Sequence, residues 1–219
     1  MAGNTSLAAI LMLLAGVQAQ QSVTLSSQSL CAVTGSTVKI SCKYTTPDYY
    51  SVSKKEWYQL QNSDGEERVL TYIPGRVSVS TWWNDCDLTV RDVRVRDSGV
   101  YNFRFRTSSS DWISASSGVN LTVTELQVKV DHKTAGQRKV KVICSSTCSL
   151  REKLYYNWYR RNMRFESHIR DNFILLNSKS LSDEGSYSCE VSDGSMWRRS
   201  KPVCKSQTWP VRQHQTEEY

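Results

Sequence analysis

Three residues in the second half of the chain constrain its fold more than any others: Cys144, Trp158 and Cys189. They lie in short runs, "VKVIC", "YNWY" and "DEGSYSC". Apolar side chains alternate with polar ones there, the period of a half-buried strand. Two cysteines 45 residues apart, a tryptophan between them, and Tyr187 two residues before the second cysteine describe two sheets packed face to face. A core disulfide pins such sheets together, and the tyrosine marks the corner that leads into the second cysteine's strand. No helical period is sustained along the chain, so the expected class is all-β.

The first half carries the same frame with one change. Cys42 closes the alternating run "TVKISC", Trp57 stands as the strand-C tryptophan, and Tyr101 is the corner tyrosine in "DSGVYNFRF". Two residues after Tyr101, where the second cysteine belongs, stands Phe103. From Cys42 to Phe103 is 61 residues, 16 more than in the second half. That excess is room for the added edge strands of a variable-type immunoglobulin domain. The expected architecture is therefore two tandem immunoglobulin-like sandwiches, variable-type over 20–124 and C2-type over 125–206. They meet near "VTELQV" with almost no linker, and a polar tail covers 207–219.

Side chains alternate faces along a strand. Tyr101, Phe103 and Phe105 therefore point into the core, whereas Asn102, Arg104 and Arg106 point outward onto the broad C–C′–F–G face. Phe103 fills the core volume, and Cys42 needs another partner. Cys86 shares the inward parity of Leu88 and Val90 on strand E, beside strand B in one sheet, so a Cys42–Cys86 bridge is expected. Cys144 pairs with Cys189. An intrasheet bridge leaves the two sheets free to spread.

The compartment follows from the ends and the cysteines. Leu7 to Val17 is an 11-residue apolar run ending in the small-x-small pattern Val17-Gln18-Ala19, a secretory signal peptide over 1–19. No later apolar stretch approaches the roughly 18 residues of a membrane span, and a secreted chain is expected. Seven cysteines suit an oxidising compartment, with one left over. Asn120-Leu121-Thr122 is an N-glycosylation acceptor.

Charge is uneven. Gln20 to Thr124 holds 11 basic and 10 acidic residues; Glu125 to Tyr219 holds 17 and 11, with "YRRNMRFESHIR" the densest basic run. A basic surface suits anionic partners, so a heparin-like polyanion is a candidate partner of the second domain; nucleic acid is not expected for a secreted chain. Catalysis is not expected either. His132, His168 and His214 are scattered, no nucleophile motif occurs, and Cys144 and Cys148 serve disulfides better than a metal. No cofactor or metal is expected.

Around Phe103 the chain resembles the sialic-acid-binding immunoglobulin-type lectins, the sialoadhesin and Siglec group. That family has an intrasheet disulfide between strands B and E and an aromatic in place of the strand-F cysteine. Its binding arginine follows that aromatic, and Tyr101-Asn102-Phe103-Arg104 matches position for position. The resemblance implies that Arg104 meets the carboxylate of a sialic acid through its accessible guanidinium. It implies that Trp112, early on strand G, packs on the sugar's glycerol side chain. It also implies a bridge from the first domain to Cys148, with Cys31 as partner, which leaves Cys204 unpaired or available to another chain. Two features depart from the family. Cys31 lies 11 residues before Cys42, and the first strand, "QQSVTLSSQSL", has no aromatic. The expected function is recognition of sialylated glycans at a cell surface or by a secreted protein. The alternative is an immunoglobulin-type protein-binding ectodomain or decoy that has lost sugar binding.

Overall fold

A computed structural model of the chain describes residues 20–47, 51–60, 66–80, 82–131, 139–148, 154–177, 180–192 and 197–205. The expected leader over 1–19, the tail over 207–219, His132 and His214 lie outside the described residues. The described residues form strands and turns, with short 3₁₀ turns at Val95–Asp97 and Leu181–Asp183 among them. None of their helices is long and apolar enough to cross a membrane. The chain divides into two compact units. Among the described residues, the first holds 20–30, Thr37–Arg91 and Ser98–Thr122; the second holds Cys31–Ser36, Asp92–Asp97 and those from Val123 to 205.

The first half runs through β1 (Ser22–Leu25), β2 (Ser29–Val33), β3 (Val38–Ile40), β4 (Cys42–Thr45), β5 (Val52–Leu60) and β6 (Glu67–Leu70). It continues with β7 (Val77–Val79), β8 (Leu88–Val90), β9 (Gly99–Thr107), β10 (Ile113–Ser114) and β11 (Val119–Thr124). One layer holds β3, β8 and β7, with β4 paired to β1; the other runs β2-β11-β9-β5-β6, with β10 also on β9. Burial alternates along β11, where Val119, Leu121 and Val123 are buried and Asn120 and Thr122 are exposed.

Cys42 and Cys86 are bonded, with their Cα atoms 4.8 Å apart. The Cys86 N–H donates to the Cys42 carbonyl, so the bridge joins laddered neighbours and does not cross the core. Phe103 takes the crossing place. It is fully buried, with its ring centroid 5.7 Å from Trp57 and 5.9 Å from Tyr44. Trp57 satisfies its buried indole N–H by donating to the Cys86 carbonyl at 2.7 Å.

The second half runs through β12 (Gln127–Asp131), β13 (Lys139–Ser145), β14 (Tyr155–Arg160), β15 (Met163–Ile169), β16 (Phe173–Asn177), β17 (Gly185–Ser192), β18 (Trp197–Arg199) and β19 (Val203–Lys205). The order β12-β13-β16 makes one sheet and β15-β14-β17-β18 the other, with β19 also on β17. Here the bridge does cross between layers, from Cys144 on β13 to Cys189 on β17, beside fully buried Trp158. Closing a 45-residue separation restrains the unfolded chain by about 4 kcal/mol on the loop-entropy account. The Tyr187 hydroxyl donates to the Asp183 carbonyl at 2.7 Å, the tyrosine corner of this architecture.

The third bridge joins Cys31, on β2, to Cys148. β2 then turns at Gly35, whose φ of +82° is a left-handed conformation that glycine takes without strain. Cys204, on β19, is exposed and unbonded. The whole is an all-β pair of immunoglobulin-like sandwiches in sequence, variable-type then C2-type.

Candidate functional site

The antiparallel register of β9 sets the composition of the outer face. Against β5 it pairs Lys54 with Arg106, Glu56 with Arg104, Trp57 with Phe103 and Tyr58 with Asn102. Since Trp57 and Phe103 face the core, the pairs on either side face away from it. Arg104 therefore has Glu56 as its direct cross-strand neighbour, with Ser114 of β10 on its other side. β6 continues the face, with Val69 opposite Tyr58 and Glu67 opposite Leu60.

On that face the Arg104 guanidinium lies between two aromatic rings, 4.6 Å from the Tyr58 centroid and 4.7 Å from the Trp112 centroid. Its Nε donates to Glu56 Oε1 at 2.8 Å, and Nη2 lies 2.7 Å from the same oxygen. The other Glu56 oxygen takes Lys54 Nζ at 2.8 Å. Arg104 Nη1 donates to Glu67 Oε2 at 2.8 Å. Lys54 and Arg106 also approach the Trp112 ring, at 5.3 and 5.1 Å.

The expected open guanidinium is thus corrected. The Arg104 side chain is only 20% exposed, because Tyr58 and Trp112 cover its faces and two carboxylates hold its edges. Trp112 stands directly before β10 and is half-buried, stacked on the arginine. The two carboxylates are not equivalent: the Glu56 side chain is 6% exposed, that of Glu67 46%. A buried carboxylate held by two cations is a fixed part of the site. An exposed ion pair is worth about 0–1 kcal/mol and exchanges readily. An incoming carboxylate that displaced Glu67 would meet Nη1 and the outer hydrogen of Nη2, the end-on fork of a guanidinium.

Glu56, Glu67, Lys54 and Tyr58 escaped the sequence reasoning. Glu56 and Tyr58 carried a usable signal: they flank core-facing Trp57, so parity alone turns both onto the face that bears Arg104. Glu67 had no such mark, since its place depends on the β5–β6 register.

Burial opposes ionisation of Glu56, but hydrogen bonds and charge from Lys54 and Arg104 outweigh it and hold the carboxyl below the usual glutamate range. For Arg104, partial burial lowers the pKa, and the bonds to Glu56 and Glu67 more than reverse this. The sign of the linkage follows from the lowered Glu56 value. Its contribution to stability is complete above the ordinary glutamate pKa, about 4.3, and is lost as pH falls through the lower folded value. Thermal midpoints measured from pH 5 to pH 2 should therefore fall less steeply for Glu56→Gln than for the native chain. Parallel curves would remove the linkage.

Asn120 is exposed on β11, opposite Val100 of β9, on the outward parity of Arg104 and four residues along that strand. β1 and β2 carry no aromatic residue.

Comparison with known proteins fits this geometry. Residues 25–124 match the immunoglobulin V-set domain. A CXADR-like membrane protein of Xenopus tropicalis is 26% identical over 160 residues, 63% of this chain and 48% of that protein. Sialic acid-binding Ig-like lectin 8 of Homo sapiens is 38% identical over 69 residues, 32% of this chain and 14% of that protein. The chain thus spans about half the length of the first relative and a small part of the second.

Proposed function

We propose that this chain, an immunoglobulin-superfamily protein with a V-set domain over residues 25–124, recognises sialylated glycans through the outer face around Arg104. The observation that carries the reading is the convergence of Arg104 and Trp112, eight residues apart in sequence and 4.7 Å apart in space, on an outward face. A planar guanidinium meets a carboxylate with two charge-assisted hydrogen bonds, and an adjoining indole gives a sugar an apolar surface. Glu67 holds the place a ligand carboxylate would take, and its exposure makes it the exchangeable partner. The human relative is named for binding sialic acid. The expected leader and the three disulfides suit export to an oxidising compartment.

Docking of another immunoglobulin face is the second reading. It is favoured by one observation: Arg104 is already neutralised by Glu56 and Glu67. The position of Asn120 weighs against it, because a glycan there would stand on the same face and obstruct flat contact between two sheets.

The test is binding of the chain to sialylated glycans before and after sialidase treatment. Removing the internal competitor sharpens it. Glu67→Ala should tighten sialoside binding by about twofold to fivefold, the worth of an exposed ion pair. Unchanged or weaker binding would show that Glu67 is not displaced by ligand.

A further inference from the structure

The outer face of the second sandwich is electrostatically unlike that of the first. On β14, Tyr155, Asn157 and Tyr159 have the parity opposite to core residues Tyr156 and Trp158, and so face outward. Arg170 stacks on Tyr155 at 4.4 Å and donates Nη2 to its hydroxyl at 3.0 Å. Arg199 stacks on Tyr159 at 3.8 Å and donates to Ser188 Oγ and Asn162 Oδ1. Arg164, on β15, stands directly opposite Tyr159 and is exposed.

None of Arg164, Arg170 and Arg199 has a carboxylate partner among the described residues. Arg160, from the same basic run, is removed from the set by its ion pair with Asp183. Glu190 lies across from Arg199 in the ladder, but its carboxylate accepts from the Tyr159 hydroxyl and Asn157 Nδ2. Glu166, exposed on β15, is the other acidic residue of these strands. Two of the guanidiniums are thus oriented by aromatic rings and neutral oxygens, and among the described residues all three keep hydrogen-bond donors for an outside anion. The stacking tyrosines are four residues apart on β14, about 13 Å along the strand. One small anion cannot reach both ends, whereas a linear polyanion can.

We infer that the β15-β14-β17-β18 face of the second sandwich binds a sulfated polysaccharide, with Arg164, Arg170 and Arg199 as its sulfate contacts. Sulfate oxygens match the fork of arginine as carboxylates do, and stacked arginines lose little freedom on binding. The inference is independent of the Arg104 reading, and Arg104→Ala should leave it untouched.

The experiment measures binding of the whole chain to immobilised heparin at physiological salt. The variants are Arg164→Gln/Arg170→Gln/Arg199→Gln and a charge-matched control, Lys129→Gln/Lys139→Gln/Lys201→Gln, whose residues are exposed outside this cluster. The arginine variant should bind about 100-fold more weakly, roughly fivefold for each basic residue removed, while the control stays within a few-fold of native. Arg164→Gln alone, at a side chain with no hydrogen bond or ion pair among the described residues, should show its fivefold share with an unchanged thermal midpoint. Equal loss in the control would reduce the effect to net charge and overturn the assignment, as would native-like binding by the arginine variant. Desulfated heparin bound as tightly as heparin would also overturn it. So would an arginine variant that lost binding only to phosphatidylserine vesicles, an outcome that would give the face to membrane lipid.

Discussion

Arg104→Ala is expected to abolish detectable binding to sialylated glycans. Truncating one member of a hydrogen-bonded, largely desolvated charge pair costs about 2–5 kcal/mol, most of it in the rate of dissociation. At 1.4 kcal/mol per tenfold, that is roughly 30-fold to several thousand-fold. Arg104→Lys separates charge from shape. A lysine keeps the positive charge but is a compact point donor, and it cannot bridge Glu56 and a ligand carboxylate as a planar fork does. Its binding should fall between that of alanine and native. Trp112→Ala should cost about 1–3 kcal/mol, an apolar contact, with part of the loss coming from an arginine no longer held on both faces. Stability must be read alongside, since Arg104→Ala leaves the nearly buried Glu56 with Lys54 as its remaining partner among the described residues. Comparison of thermal midpoints separates the two effects. An Arg104→Ala chain that is folded and binds sialylated cells like the native protein would sink the sialoside reading. It would leave both sandwiches intact and promote the protein-binding alternative.

The parts legible in the sequence were those governed by local alternation. Period-two parity is enough to send Phe103 inward and Arg104 outward, and the Cys-Trp-Tyr spacing is enough to describe a sandwich. Charge neutralisation was not legible. Arg104 meets Glu56 and Glu67 across 48 and 37 residues of chain, through the β9–β5 and β5–β6 registers. A charge count returns a near-neutral first domain without saying that its central arginine is clamped. The same limit applied to the basic run at 159–170. The composition shows arginines in sequence, but the ladder pairs Arg160 with an acid and brings Arg199 beside Tyr159 from a different strand. Trp112 is the middle case. Its place early on strand G followed from the family resemblance, whereas its role as a lid on Arg104 depends on rotamers that spacing does not state.

Phe103→Ala is expected to destabilise the first sandwich by about 3–5 kcal/mol, the range for deleting a large aromatic from a close-packed core. The reason for the upper part of that range lies in the disulfide arrangement. In the second sandwich, Cys144–Cys189 ties the two layers together covalently beside Trp158. In the first, Cys42–Cys86 ties neighbouring strands within one layer, so noncovalent packing alone sets the spacing of layers at this point. Phe103 provides it, wedged between Tyr44 of one layer and Trp57 of the other. Tyr44 and Trp57 are themselves fully buried, each fixed by a hydrogen bond: Tyr44 to the Trp83 carbonyl, Trp57 to the Cys86 carbonyl. They cannot collapse into the void without breaking those bonds, so most of the cavity should persist. Phe103→Leu, which keeps much of the volume, should cost clearly less. Urea unfolding of the whole chain would show the first-sandwich transition moving to lower denaturant while the second stays in place. A loss under 1 kcal/mol for Phe103→Ala would mean that the layers close up freely, and that the phenylalanine fills space without setting their separation.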